Sequence, residues 1–270
     1  MKKTGVKKLD KRMRSKHFHV TIFGSARMKK NDPSYKLVYN LAEMIGERGI
    51  DIVTGGGPGI MEAASLGHKT GRRKNRFESH TIGLGIKLPH EQKFNKGVNI
   101  SKVFDKFSNR LDNFMLLSNA VVVAPGGVGT MLELFYTWQL MQVKHTCHIP
   151  IILLGDTWDG LIKWLERKPL KKRFFDKRDL NLLFHAKTCD GAIEIIDAAY
   201  KAFQRKDNNS CLNFGRSDWY VASGIEMAQT YKVQYLDTKY VFDKNGVIKW
   251  FDVKPLGYST IKSNLQPLLS

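Results

Sequence analysis

The chain has 270 residues, of which 42% are hydrophobic and 26% charged, the balance of an ordinary soluble protein and enough length for one large domain with an appendage or two small ones. That composition excludes a mainly disordered or fibrous chain, and no apolar run approaches the roughly eighteen residues that cross a bilayer. The net charge of +19 is local: +7 falls in residues 1–16, +4 in 69–78 and +5 in 161–180, with no zinc finger or aromatic–basic RNA signature beside it, so a solvated lysine-rich surface outweighs a polyanion partner for the basic arm, which stays open.

The start, MKKTGVKKLDKRMRSK, is basic but lacks the apolar stretch of a secretory signal. From about residue 18 to 204, short apolar runs alternate with longer amphipathic ones. HVTIFG (19–24) reads as a strand ending in glycine. Residues 34–48 place Leu37, Leu41, Met44 and Ile45 at helical spacing, with Gly49 as the stop. IDIVTGGG (50–57) is again strand then glycine, and a helix is expected from about Pro58. HTIGLGI (80–86) fits a third strand, 107–118 a helix, NAVVVAPGG (119–127) a strand running into a loop, and Thr130 to Val143 a helix. IPIILLG (149–155) is another strand, with helices expected at 157–167 and 190–204. Strands bare of polar alternation belong to a sheet covered on both faces, which predicts a Rossmann-like, doubly wound parallel α/β fold with right-handed crossovers.

The composition changes after about residue 205. RKDNNS (205–210) reads as a linker, and TKYVFDKNGVIKWFDV (238–253) as a β-hairpin turning at Lys244, Asn245 and Gly246. The predicted organisation is a basic arm (1–17), a nucleotide-binding domain (18–204) and a small α+β extension (205–270). Cys147, Cys189 and Cys211 are far apart with no CxxC pair, so neither a disulfide framework nor a zinc cluster is expected and a cytoplasmic location fits. His145, Cys147 and His148 lack a further ligand cluster, so no metal is expected there either.

In an open parallel sheet, ligands bind at the carboxyl ends of the strands. Three loops at such ends are built alike: Gly24-Ser25-Ala26-Arg27, Gly55-Gly56-Gly57-Pro58-Gly59, and Pro125-Gly126-Gly127-Val128-Gly129-Thr130. Each suits an anion, because glycines let it reach backbone N–H groups and the helix beyond adds positive potential. The dinucleotide fingerprint fails at Ile60, and no GxxxxGK[ST] triphosphate loop exists. A single phosphate fits better, on a nucleoside monophosphate or a sugar. Glu133 lies three residues after Thr130, where a first-turn acid or a Thr-x-x-Glu capping box is the plain explanation. Arg110, at the start of the preceding helix, is as readily a surface arginine as a functional one. Glu62, Ser25 and Arg27 are further candidates, for ribose or base and for phosphate, each nearly matched by an ordinary turn or helix-start reading.

GGGPGIMEAA (55–64), Arg110 and PGGVGTMLE (125–133), together with FGSARMKKNDPSY (23–35), resemble the LOG (Lonely Guy) family of nucleoside 5′-monophosphate phosphoribohydrolases, formerly labelled lysine decarboxylases. The likeness covers roughly residues 18–200. It implies hydrolysis of the N-glycosidic bond to free base and ribose 5-phosphate, with Arg110 and Glu133 as the catalytic pair. The substrate contacts would fall among Gly24, Ser25, Arg27, Gly56, Gly57, Glu62, Gly126, Gly127, Gly129 and Thr130. It also implies a homodimer or higher oligomer with the site near the interface. Leu111 stands where plant-type members carry lysine, which favours a broader bacterial nucleosidase over cytokinin riboside monophosphate activation, and residues 69–79 and 205–270 have no counterpart. No motif marks a pyridoxal-binding lysine, so no cofactor is expected. A nucleotide sensor or carrier that has lost turnover is the main alternative.

Overall fold

A computed structural model describes residues 17–87 and 93–205, and the backbone of residues 239–242 and 248–252; the basic arm 1–16 lies outside the described residues. Seven strands form one parallel sheet: β1 (His19–Phe23), β2 (Asp51–Thr54), β3 (Thr81–Ile86), β4 (Ile100–Phe104), β5 (Ala120–Val123), β6 (Ile151–Leu154) and β7 (Leu183–Ala186). Their order is β4-β3-β2-β1-β5-β6-β7, parallel at every pairing. The chain reverses direction across the sheet between β1 and β5, which is the crevice where such folds receive ligands. The doubly wound α/β expectation is thus met.

The central strands are apolar throughout because both faces are covered. In β5, Val121 and Val123 point into one core and Ala120 and Val122 into the other. On one face lie α1 (Pro33–Glu47), α2 (Ile60–Lys74) and α7 (Cys189–Gln204), contributing Val38, Leu41, Ile45, Ala63 and Ile193; on the other lie α3 (Phe107–Leu117) and α4 (Val128–Gln142), contributing Phe114, Leu134, Trp138 and Met141. Asp32 caps α1 by accepting from the Ser34 amide at 2.7 Å, with Pro33 in the first turn. A Cβ at Gly71 would run into the backbone of Glu43, so α1 and α2 cross at a distance only glycine permits.

The sequence reading missed two strands. β4 is ISKVF with a serine and a lysine in its middle, and β7 contains a histidine and an exposed phenylalanine; both are edge strands, solvated on one side, so neither carries an apolar run. The single helix expected at 157–167 is three pieces: a 3₁₀ turn at Asp156–Trp158, α5 (Asp159–Leu165) and a π-helical turn at Glu166–Leu170, followed by the short α6 (Lys177–Leu180). Residues 69–74 form the end of α2. Cys189 is a free thiol.

At the amino-terminal end of the sheet the buried His68 is fully engaged. Nε2 donates to the Ile50 carbonyl at 2.8 Å, which leaves Nδ1 to accept from Thr81 Oγ1 at 2.8 Å. Burial holds its pKa down at about 4.

The chain divides into two compact units, residues 1–213 and 214–270. In the second, β8 (Lys239–Phe242) pairs antiparallel with β9 (Ile248–Asp252), as the alternation predicts; the turn at 244–246 lies outside the described residues. No helix among the described residues is long and apolar enough to cross a membrane.

Candidate functional site

The three glycine loops meet at the carboxyl end of the sheet and are stitched to one another. Ser25 N donates to the Pro125 carbonyl at 3.1 Å, and Ser25 O accepts from Ile60 N at 2.9 Å. The first loop therefore ties the third to the start of α2. The hydroxyl of Ser25 accepts from the Arg27 amide at 3.1 Å, and the Arg27 side chain is exposed. Gly24 packs against the Ile60 side chain, where a Cβ would collide.

The second loop is closed by the fold itself. Gly56, Gly57 and Gly59 are buried, and Gly56 and Gly59 have φ of +74° and +67°. Gly56 N donates to Thr54 Oγ1 at 3.0 Å. Asn95 clamps the outer side, its amide nitrogen donating to the carbonyls of Gly57 at 2.8 Å and Gly56 at 3.2 Å, and its backbone N–H to Gly56 O at 2.8 Å. The Phe94 ring fills the space left by Gly56, Gly83 and Gly85. Sequence reasoning passed over Asn95; its signal is the Asn-x-Gly step, whose Asn95 Oδ1 accepts from Gly97 N at 3.0 Å.

The third loop is open. A Cβ on Gly126 would strike the buried Thr130 side chain, yet one on Gly127 or Gly129 would meet nothing within 4 Å, and Val128 is 88% exposed. Helix α4 begins at Val128, two residues before the expected start, with Gly127 as an N-cap that offers no side-chain bond. Glu133 consequently lies in the second turn, not the first, and Thr130 is not its capping partner. Neither ordinary explanation of this acid survives.

Glu133 instead faces Arg110. The Arg110 Nε donates to the Leu84 carbonyl at 2.7 Å, the guanidinium carbon lies 5.1 Å from the centroid of the Phe114 ring, and Nη1 stands 3.7 Å from Glu133 Oε1. Gly55 makes room for this arm, since a Cβ there would come within 2.5 Å of Arg110 Nη2. Both side chains are only 12% exposed. Burial raises the Glu133 pKa to about 7 despite the opposing pull of Arg110. Burial likewise lowers the Arg110 pKa, with Glu133 partly offsetting it. Both shifts disfavour the charged forms, so attraction across 3.7 Å does not repay desolvation. The pair is therefore under-compensated.

Glu62, in the first turn of α2, lies 3.8 Å from the exposed Lys30 ammonium and lines a depression of about 290 Å³ with Pro58, Lys93 and Asn95. A larger hollow of about 510 Å³, with His148, Pro150, Leu182, Phe184 and Glu194 in its wall, is at the opposite end of β6 and β7.

Fold and cleft together define a doubly wound parallel α/β protein with a glycine-loop cleft at the carboxyl edge of its sheet. The chain belongs to the LOG family: the family model described as possible lysine decarboxylase matches residues 54–196. The chain is 28% identical over 130 residues to the pyrimidine/purine nucleotide 5′-monophosphate nucleosidase of Escherichia coli (strain K12). That alignment spans 46% of this chain and 28% of the relative. The solved molybdenum cofactor binding protein of Rippkaea orientalis is similar with a TM-score of 0.51 at 24% identity, covering 70% of this chain and 99% of that one; this likeness shows the fold alone. A lysine decarboxylase would use pyridoxal phosphate on a desolvated lysine. None of the described lysines is buried, so the described residues do not fit that group.

Proposed function

We propose that this chain hydrolyses the N-glycosidic bond of nucleoside 5′-monophosphates, releasing the free base and ribose 5-phosphate. The observation that carries this reading is the buried Glu133 carboxyl, with a pKa of about 7, held beside Arg110 on the helix that follows an open glycine loop. The N–H groups of residues 127–129 at the start of α4 suit the 5′-phosphate. The sugar then lies over Glu133, with Arg110 directed at a ribose hydroxyl or the phosphate.

Breaking the C1′–N bond leaves positive charge on the sugar, which a neighbouring carboxylate stabilises. A carboxyl that titrates near neutrality also takes a proton from water effectively. Water oxygen adds to C1′, the bonding pair leaves with the base, and the base gains a proton. Because the phosphate is remote from the bond broken, its binding serves to position the sugar.

Chromatography of a monophosphate panel, AMP included, tests the reading: free base should appear, and the matching nucleosides should be poor substrates. Release of no base from any member sinks it. Glu133→Gln should lower kcat by about a hundredfold or more, and full retained rate removes the assigned role. The assembly belongs to the same proposal. Val128, Leu132 and Phe135 are 88%, 47% and 39% exposed on one stripe of α4 beside the site, and a second copy of the chain would cover them. Sedimentation should show an oligomer that Leu132→Glu disperses.

A further inference from the structure

We propose that the segment from Lys163 to Arg178 is a binding surface for single-stranded nucleic acid. It carries eight cations, Lys163, Arg167, Lys168, Lys171, Lys172, Arg173, Lys177 and Arg178, against two acids, Glu166 and Asp176. By charge count alone it is an unremarkable solvated stretch. The structure makes it a folded platform instead. Leu161, Ile162, Leu165 and Phe175 pack into the core beneath it, and Phe175 meets Trp138 edge-on at 5.3 Å. With these four side chains turned inward, all eight cations are exposed. Arg178 alone among them is paired with a carboxylate within the described residues, to Asp176 at 3.0 Å.

Charge of this density attracts any polyanion; the aromatics narrow the choice. Trp164 is 53% and Phe174 74% exposed, a cost in water that stacking against bases would recover, and Lys172 Nζ stands 6.0 Å from the Phe174 ring centroid. Exposed rings among unpaired cations are the components of sequence-tolerant single-strand binding. The backbone between the rings takes an unusual form, a π-helical turn at Glu166–Leu170 and a positive φ of 58° at Arg173.

The test titrates the full chain onto a fluorescein-labelled oligonucleotide of about sixteen nucleotides over a salt series. Neutralising Lys168, Lys171, Lys172 and Arg173 to glutamine should weaken binding at least about tenfold at about 50 mM salt. It should also flatten the slope of log affinity against log salt by about 3. Trp164→Ala with Phe174→Ala should weaken binding about fivefold or more and leave that slope unchanged. Both variants should melt like the wild type, and release of base from AMP should be unaffected. Three results overturn the proposal: no binding by the wild type, binding lost on deleting residues 1–16 yet unchanged in the glutamine variant, or inorganic polyphosphate or phosphatidylserine vesicles bound as well as the oligonucleotide with the aromatic variant indifferent.

Discussion

The second and third glycine loops look interchangeable in sequence and have opposite environments in space. Gly56, Gly57 and Gly59 are buried and clamped by Asn95, Thr54 and Ser25, while Gly127 and Gly129 face open space. A glycine-rich loop can thus serve close packing or a ligand, and the space where a side chain would go tells which. The second loop is part of the frame that lets Arg110 pass over Gly55 to reach Glu133. The third is open, and in the proposed function it would cradle the phosphate.

Adding a methyl group to each loop is the strongest way to break that contrast. Gly59→Ala forces a Cβ onto the Ser25 carbonyl at a φ of +67° and should cost about 3 kcal/mol or more, read as a lowered denaturation midpoint. Gly127→Ala should leave stability unchanged and raise KM for AMP about tenfold, because its methyl would occupy the cradle. Equal losses of stability in the two variants would erase the distinction.

The two buried titratable sites sharpen the comparison through pH. His68 has a folded pKa of about 4 against an ordinary 6.5, so between those values the unfolded chain binds the additional proton. Stability should fall as pH falls from 6.5 toward 4, by up to about 3 kcal/mol, and His68→Gln should remove that slope in denaturant titrations. Glu133 behaves oppositely: its pKa is raised, so its contribution is complete below the ordinary carboxylate pKa and is lost as pH rises through about 7. Glu133→Gln should therefore stabilise the protein at pH 8 by about 1–3 kcal/mol while lowering kcat about a hundredfold or more. The acid limb of wild-type kcat/KM should have its midpoint near pH 7. The smallest effect belongs to the clamp: Asn95→Ala should cost about 1–2 kcal/mol, since it removes bonds to two glycine carbonyls.

The central strands were legible because β1, β2, β5 and β6 are buried on both faces and spell it out in residues such as Val121 to Val123. The edge strands β4 and β7 were not, because solvated positions such as Lys102 and His185 break the apolar signal. At the site, the glycine motifs, Arg110 and Glu133 could be singled out from their spacing and family likeness. Gly55 and Asn95 could not be assigned roles that way, since each acts through a group distant in sequence: Gly55 through the Arg110 side chain and Asn95 through the second loop's carbonyls.

By itself the sequence determined a parallel α/β chain with three glycine turns at one edge of its sheet, because apolar periodicity and glycine placement are local properties of the backbone. Tertiary structure decided which turn is empty, and it moved Glu133 from a supposed helix cap into a buried pair with Arg110. Desolvation and close packing depend on what surrounds an atom in three dimensions, and no spacing along the chain encodes that.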